Sequence, residues 1–269
     1  MADFSHRRYI FRNKTVDLPL LSTREMRIIC CTFLLLGLLV GHGAKAQRTV
    51  SHASQYWSQY YNQTVLNKDW SILVDGGFRW KEVFGQSSQY IARAALKRNL
   101  NARFHLAVGL ANLGFYSSQN ELNKLEMRPY FELGMKDKWG KVKLSHRYRI
   151  ESRNFHTVNV EDMPVSKTHN LRYRYRLMCN IPLTKGKNPS LALLLGDEIF
   201  LNSGKSIVYN FFDQNRILVG PALQLNPSWG LNLMLSSTYA GTNQPQSYKF
   251  TQVFWLGIKH KIDLSKEKK

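Results

Sequence analysis

Arginine and glutamate recur at spacings of two or four along three stretches of the chain: Glu126, Arg128 and Glu132; Arg147, Arg149, Glu151 and Arg153; and Arg172, Arg174 and Arg176. Such spacing puts the side chains on one face of a β-strand. Opposite charges on neighbouring strands lie about 5 Å apart when directly opposed, within reach of two-pronged arginine–carboxylate contacts. Glu198 and Arg216 complete a candidate set of eight arginines and four glutamates. A ladder of this kind fills and rigidifies a polar interior, and its surplus of arginine favours anions wherever a passage is open.

Nucleophilic catalysis needs a serine or similar group with a histidine in reach and a third group to orient it. Ser145 and His146 are adjacent, but neighbouring strand residues face opposite ways, so they cannot form a dyad. His105 and His260 stand alone. His156 and His169 flank a loop containing Glu161 and Asp162, a spacing too loose to define a metal site. No catalytic residue, metal or cofactor is expected, and Gly76-Gly77 reads as relief of crowding or a bulge within a strand.

The elements that must position these charges are strands. After residue 46 no stretch places apolar residues at helical spacing; instead, period-two alternation recurs between clusters of Asn, Gly, Asp, Ser, Lys and Pro. Leu171, Tyr173, Tyr175 and Leu177 alternate with the three arginines of their stretch, and Leu125, Met127, Pro129, Phe131 and Leu133 alternate with Glu126 to Glu132. The pattern predicts strands over 54–63, 70–81, 89–99, 104–116, 125–136, 142–155, 168–180, 190–201, 213–225, 231–240 and 247–262. The longer connections, 117–124, 156–167 and 202–212, fall on one rim.

The fold class is therefore all-β: an antiparallel up-and-down transmembrane β-barrel of ten to twelve strands. An odd count would put the barrel's two ends on opposite rims, so twelve is favoured, with the missing strand in 47–56. The alternative is a soluble secreted β-sandwich binding protein. Long runs, charges at strand centres and aromatics near strand ends, such as Tyr56, Trp57, Tyr60, Tyr61, Trp70 and Trp80, argue for the barrel.

Ahead of the strands, Met26-Arg27 precedes an apolar core from Ile28 to Val40 and an Ala44-Lys-Ala46 end. These are the three parts of a secretory signal, and the core is shorter than the roughly 20 residues of a permanent span. Cleavage is expected after Ala46, with Met26 as the start codon. Residues 1–46 then form a leader, 47–262 the barrel and 263–269 a basic tail. Cys30 and Cys31 fall in the leader, leaving Cys179 without a partner for an internal disulfide. The net charge of +20 falls to +16 without the leader. Export, and arginines spread over many strands, exclude nucleic acid as a partner.

Several segments carry a resemblance: Glu126-Met-Arg128, Arg147-Tyr-Arg149-Ile-Glu151-Ser-Arg153, Arg172-Tyr-Arg174-Tyr-Arg176, Asn180-Ile-Pro-Leu183, Asp197-Glu198-Ile-Phe200 and Phe212-Asp-Gln-Asn-Arg216. With them the chain resembles a Bacteroidetes-type outer-membrane β-barrel family, the domain of unknown function 2490. The resemblance implies fold and location, and no activity. One departure is the last strand, which ends at Ile262 and a Lys266-Glu-Lys-Lys269 tail, not on the aromatic residue that helps assembly machinery recognise many such barrels.

The expected protein sits in the cell outer membrane, with outer-membrane lipid and the barrel assembly machinery as partners. Its activity is unassigned: a structural barrel or a small-solute channel with a preference for small anionic solutes. A membrane-embedded lipid-modifying hydrolase is the alternative function.

Overall fold

Alternation becomes eleven strands in the computed structural model, which describes residues 48–158, 164–184, 186 and 189–266. The expected leader, with Cys30, Cys31 and Ala46, lies outside the described residues, as do Glu161, Asp162 and residues 267–269. The strands are β1 (Thr49–Val65), β2 (Trp70–Lys81), β3 (Gln86–Asn99), β4 (Phe104–Tyr116), β5 (Leu122–Trp139), β6 (Val142–Val158), β7 (Pro164–Pro182), β8 (Ser190–Ser203), β9 (Phe212–Gln224), β10 (Trp229–Gly241) and β11 (Ser247–Asp263). A short 3-10 turn, Leu264–Lys266, follows.

Each strand pairs antiparallel with its sequence neighbours, and β1 closes on β11 to complete a barrel. Two sheets packed face to face are thereby excluded. The closing pair is parallel, in register from Thr49 opposite Ser247 to Val65 opposite Asp263. This corrects the favoured count of twelve. An odd number of up-and-down strands leaves the first and last pointing the same way, and a parallel seam joins them without a twelfth. Residues 49–56 are the beginning of β1 and not a separate strand.

Most strands run further than hydropathy alternation reaches. β1 begins five residues earlier than expected and β7 four, so the connections at 117–121 and 204–211 are shorter than predicted and the contrast between rims shrinks. The physical reason is that ladder hydrogen bonds are made by the backbone, whereas alternation needs one dry face. Near a rim both faces become polar, and the strand continues without its hydropathy signature.

One rim, which holds the end of β11, repeats a turn device. Asn67 Oδ1 accepts hydrogen bonds from the backbone N–H groups of Asp69 and Trp70, both at 2.9 Å. Asn101 does the same for Arg103 and Phe104, and Asn226 for Ser228 and Trp229. In each case a leucine precedes the asparagine and an aromatic residue opens the next strand: Leu66-Asn-Lys-Asp-Trp70, Leu100-Asn-Ala-Arg-Phe104 and Leu225-Asn-Pro-Ser-Trp229. The asparagine side chain mimics a backbone turn, so a short sequence repeat fixes three reversals on one rim.

The two faces of the wall have inverted chemistry. Outward positions carry Val108, Phe131, Ile150, Ile217, Leu233 and Phe254, of which Leu233 is 59% exposed and Val108 62%. Inward positions carry arginine, glutamate, serine and threonine, and Glu126 and Glu151 are 0% exposed. Two aromatics expected among the rim aromatics, Trp57 and Tyr61, occupy inward positions of β1. Trp57 meets Trp255 across the seam with ring centroids 5.1 Å apart. At Gly77 a Cβ atom would run into the β1 backbone at Ser58 and Gln59. The glycine is thus a close approach, while the β2–β3 irregularity falls later, between Arg79 and Trp80.

Candidate functional site

Strand register brings the charged positions together. On β5 and β6, Glu132 lies opposite Arg149; on β6 and β7, Arg147, Arg149 and Glu151 lie opposite Arg176, Arg174 and Arg172. Arg176 in turn faces Glu198 on β8, and Glu198 faces Arg216 on β9. Four adjacent pairings therefore place every member of the predicted set on contiguous interior wall.

Each glutamate collects several guanidiniums. Glu126 takes a two-pronged contact from Arg128, both bonds 2.8 Å, and a third from Arg153 at 2.7 Å. Glu132 accepts from Arg149, with Arg147 at 3.7 Å and His105 at 3.9 Å. Glu151 has four partners: Arg172 at 2.6 Å, Arg174 at 2.5 Å, Arg128 at 3.5 Å and Arg149 at 3.7 Å. Glu198 accepts from Arg174 at 2.7 Å and from Arg147, with Arg216 at 3.8 Å. Charges removed from water need this degree of pairing, because an isolated buried ion is strongly unfavourable.

Aromatic rings separate the guanidiniums that carboxylates cannot. Phe200, 1% exposed, lies beneath Arg172, Arg174 and Arg216 at 5.3, 4.5 and 5.0 Å. The Arg149 guanidinium lies 4.1 Å from the centre of the Tyr130 ring. That stacking depends on Gly109, directly opposite Tyr130, where a Cβ atom would stand 2.5 Å from the ring. The glycine lets the tyrosine lie against the wall and present its face to the arginine. Cation–π contacts of this desolvated kind contribute up to about 2 kcal/mol each.

Several interior charges lie outside the predicted set. Asp75 and Arg93 are opposed on β2 and β3, 2.8 Å apart, and Gln59 also donates to Asp75 at 2.6 Å. Arg79 donates to Gln89 and lies 3.9 Å from the Trp57 ring. Their strands carry three charges each, set among Ala, Gly and Ile on both faces, so alternation is faint. Asp213 pairs with Arg172 at 3.0 Å, but it sits at a register shift between β8 and β9 that takes it out of phase with Arg216. A single bulge is enough to hide it from a period-two reading.

The histidines scatter. His146 faces outward and bonds the Tyr175 hydroxyl at 2.9 Å; His260 stacks on Trp229 and bonds Tyr60 at 2.7 Å. His156 and His169 share an outer hollow with Met127, Pro129 and Lys167. One contact was not legible in the sequence: Ser152 Oγ lies 3.0 Å from His169 Nε2 across β6 and β7. The two residues are diagonal neighbours seventeen apart in sequence. Among the described residues no hydrogen bond orients the second ring nitrogen of His169, so the pair lacks the third member that serine chemistry requires.

A family model described as "Protein of unknown function (DUF2490)" matches residues 54–249. A solved NanC porin structure is similar at 10% sequence identity, covering 69% of this chain and 85% of that one with a TM-score of 0.41. No curated protein matches the chain.

Proposed function

The chain belongs to the DUF2490 family of proteins of unknown function, and on that premise we propose that it is an outer-membrane β-barrel whose interior is occluded by its own ion-pair network. One observation carries the reading: the wall is inside out, with Glu151 0% exposed and Leu233 59% exposed. A continuous apolar outer wall in water would be a very large exposed patch, whereas in hydrocarbon it is the favourable surface. A closed barrel also satisfies every backbone group without an edge, as a lipid-embedded sheet must. The short asparagine turns face the periplasm, following the usual orientation of such barrels.

Within that wall the network acts as a plug. Arg128, Arg149, Arg172, Arg174 and Arg216 reach inward, and each is under 10% exposed. Cell fractionation, heat-modifiable gel mobility and planar-bilayer conductance test the reading together. The expected result is a membrane-fraction protein of heat-modifiable mobility that gives no wide, stable conductance steps. Recovery in a soluble periplasmic fraction would overturn the location, and large steady steps would overturn the plug.

A further inference from the structure

Near the rim opposite the asparagine turns, the outward face changes chemistry from one side of the barrel to the other. Tyr239, two residues inside the end of β10, stacks on Tyr248 with ring centroids 4.9 Å apart, and on β2 Phe78 meets Trp80 at 6.0 Å. Such rings are the usual lining at the level of lipid headgroups. His156 stands equally far inside the end of β6, and its cross-strand partner on β7 is Lys167. Two residues further from the rim, Met127, Asn154 and His169 form a directly opposed row across β5, β6 and β7. Where the other side of the barrel presents aromatic rings, this one presents an ammonium and two imidazoles.

These residues, with Pro129, border the outer hollow, which has a volume of about 390 Å³. Among the described residues no carboxylate lines it, and the side chains of His156 and Lys167 have no hydrogen-bond or ion-pair partner. Ser152 engages His169 Nε2 at 3.0 Å, which leaves the other ring nitrogen for a ligand. The remaining border, Met127 and Pro129, is apolar and exposed. Further from the rim the outward row Phe131, Ile150 and Tyr173, directly opposed across the same three strands, is exposed as well. Nitrogen donors nearest the rim, with an apolar track running from them toward the middle of the wall, reproduce the polarity of a lipid that has its phosphate at the surface and its chain below. A lysine that needed only water could reach past the rim alone, without two imidazoles and a hollow beside it.

We infer that the hollow across β5, β6 and β7 is a binding site for a phosphorylated membrane lipid, with its phosphate on Lys167, His156 and His169 and an acyl chain along Met127, Pro129 and Phe131. The lysine donates a charge-assisted hydrogen bond to a phosphate oxygen, and the imidazoles donate further N–H bonds to it. The phosphate supplies the negative charge that the lining lacks, and the chain fills apolar surface that bulk lipid would otherwise cover without register. The site rests on the membrane-embedded reading of the barrel and is independent of whether the interior is plugged.

The test uses the full-length chain folded in an uncharged detergent, with folding verified by heat-modifiable mobility, and native mass spectrometry with added dioleoylphosphatidate or dioleoylglycerol, which have the same chains with and without the phosphate. Saturable retention of one phosphatidate per barrel is expected, with diacylglycerol retained far less. Lys167→Gln should weaken phosphatidate binding about tenfold, since losing a charge-assisted bond is worth a factor of ten or above, and His156→Gln should weaken it less. Lys205→Gln, the same charge change in an exposed loop on the same rim, should leave it unaltered. Equal retention of the two lipids, or equal affinity of Lys167→Gln and the parent, overturns the site. Displacement of the lipid by inorganic phosphate at matched concentration would make this a free-anion site, and a dimer lost in Lys167→Gln would assign the face to a second copy; either overturns the lipid as occupant. A folded, membrane-fraction barrel that fails these measurements loses the site and keeps its location, whereas recovery in a soluble periplasmic fraction removes both.

Discussion

The interior of this barrel has two unlike walls. From β5 to β8 it is built of charges that answer one another: Glu126, Glu132, Glu151 and Glu198 each hold two to four guanidiniums. Across β10 and β11 it is built of Ser236, Thr238, Thr251, Val253 and Trp255, and there Ser236 Oγ, Thr238 Oγ1 and Trp255 Nε1 are buried without partners. Burial is nearly the same on both sides: Glu151 and Ser236 are each 0% exposed. What differs is the consequence of removing one member. An ion in a network leaves its partners charged and dry, whereas a neutral hydroxyl without a partner has nothing to abandon.

Substitutions on the two walls should therefore differ in sign as well as size. Glu151→Gln strands Arg172 and Arg174 and should cost about 3 to 5 kcal/mol, read as a lower urea midpoint for the lipid-reconstituted barrel. A midpoint within error of the parent would mean the arginines find water, and the plug is not dry. Asp75→Asn breaks a smaller unit, one carboxylate with Arg93 and Gln59, and should lower stability by about 1 to 3 kcal/mol. If its effect equals that of Glu151→Gln, the density of pairing does not matter and the contrast between walls fails. Thr238→Val keeps the shape and removes an unpartnered hydroxyl, so it should change stability by less than about 1 kcal/mol, on the stabilising side. A clear loss there would reveal a hydrogen bond to bound water and make the neutral wall polar in practice.

The charged wall was also the readable one. Arg172-Tyr-Arg-Tyr-Arg176 announces its strand, its inward face and its partners' chemistry in five residues, because alternation is strongest where one face is ionic and the other apolar. The neutral wall gives a weaker signal: Ser236, Ser237 and Thr238 are similar on both faces, and only the surrounding leucines of β10 mark which side is out. Ser152 and His169 escaped for a different reason, since a diagonal contact between strands depends on register, which a period does not state. Strand number escaped because parity was argued from chain direction, and the direction of the closing pair is a property of the seam. The repeated Leu-Asn turn lay in plain view but recurs at irregular intervals, so it shows as a repeat only once the three turns are seen to share a rim.

The parallel seam has a consequence for assembly. Every other pairing joins strands adjacent in sequence, so it can form as soon as both are available, with a short loop to close. The seam joins Thr49 to Ser247 and so depends on ordering nearly the whole barrel first; its loop-closure entropy is the largest in the molecule, and it should zip last. It also leaves the start of β1 and the end of β11 on opposite rims. A linker fusing those two ends would have to traverse the full height of the wall, so a circular permutant of this barrel is obtainable only by supplying one more strand.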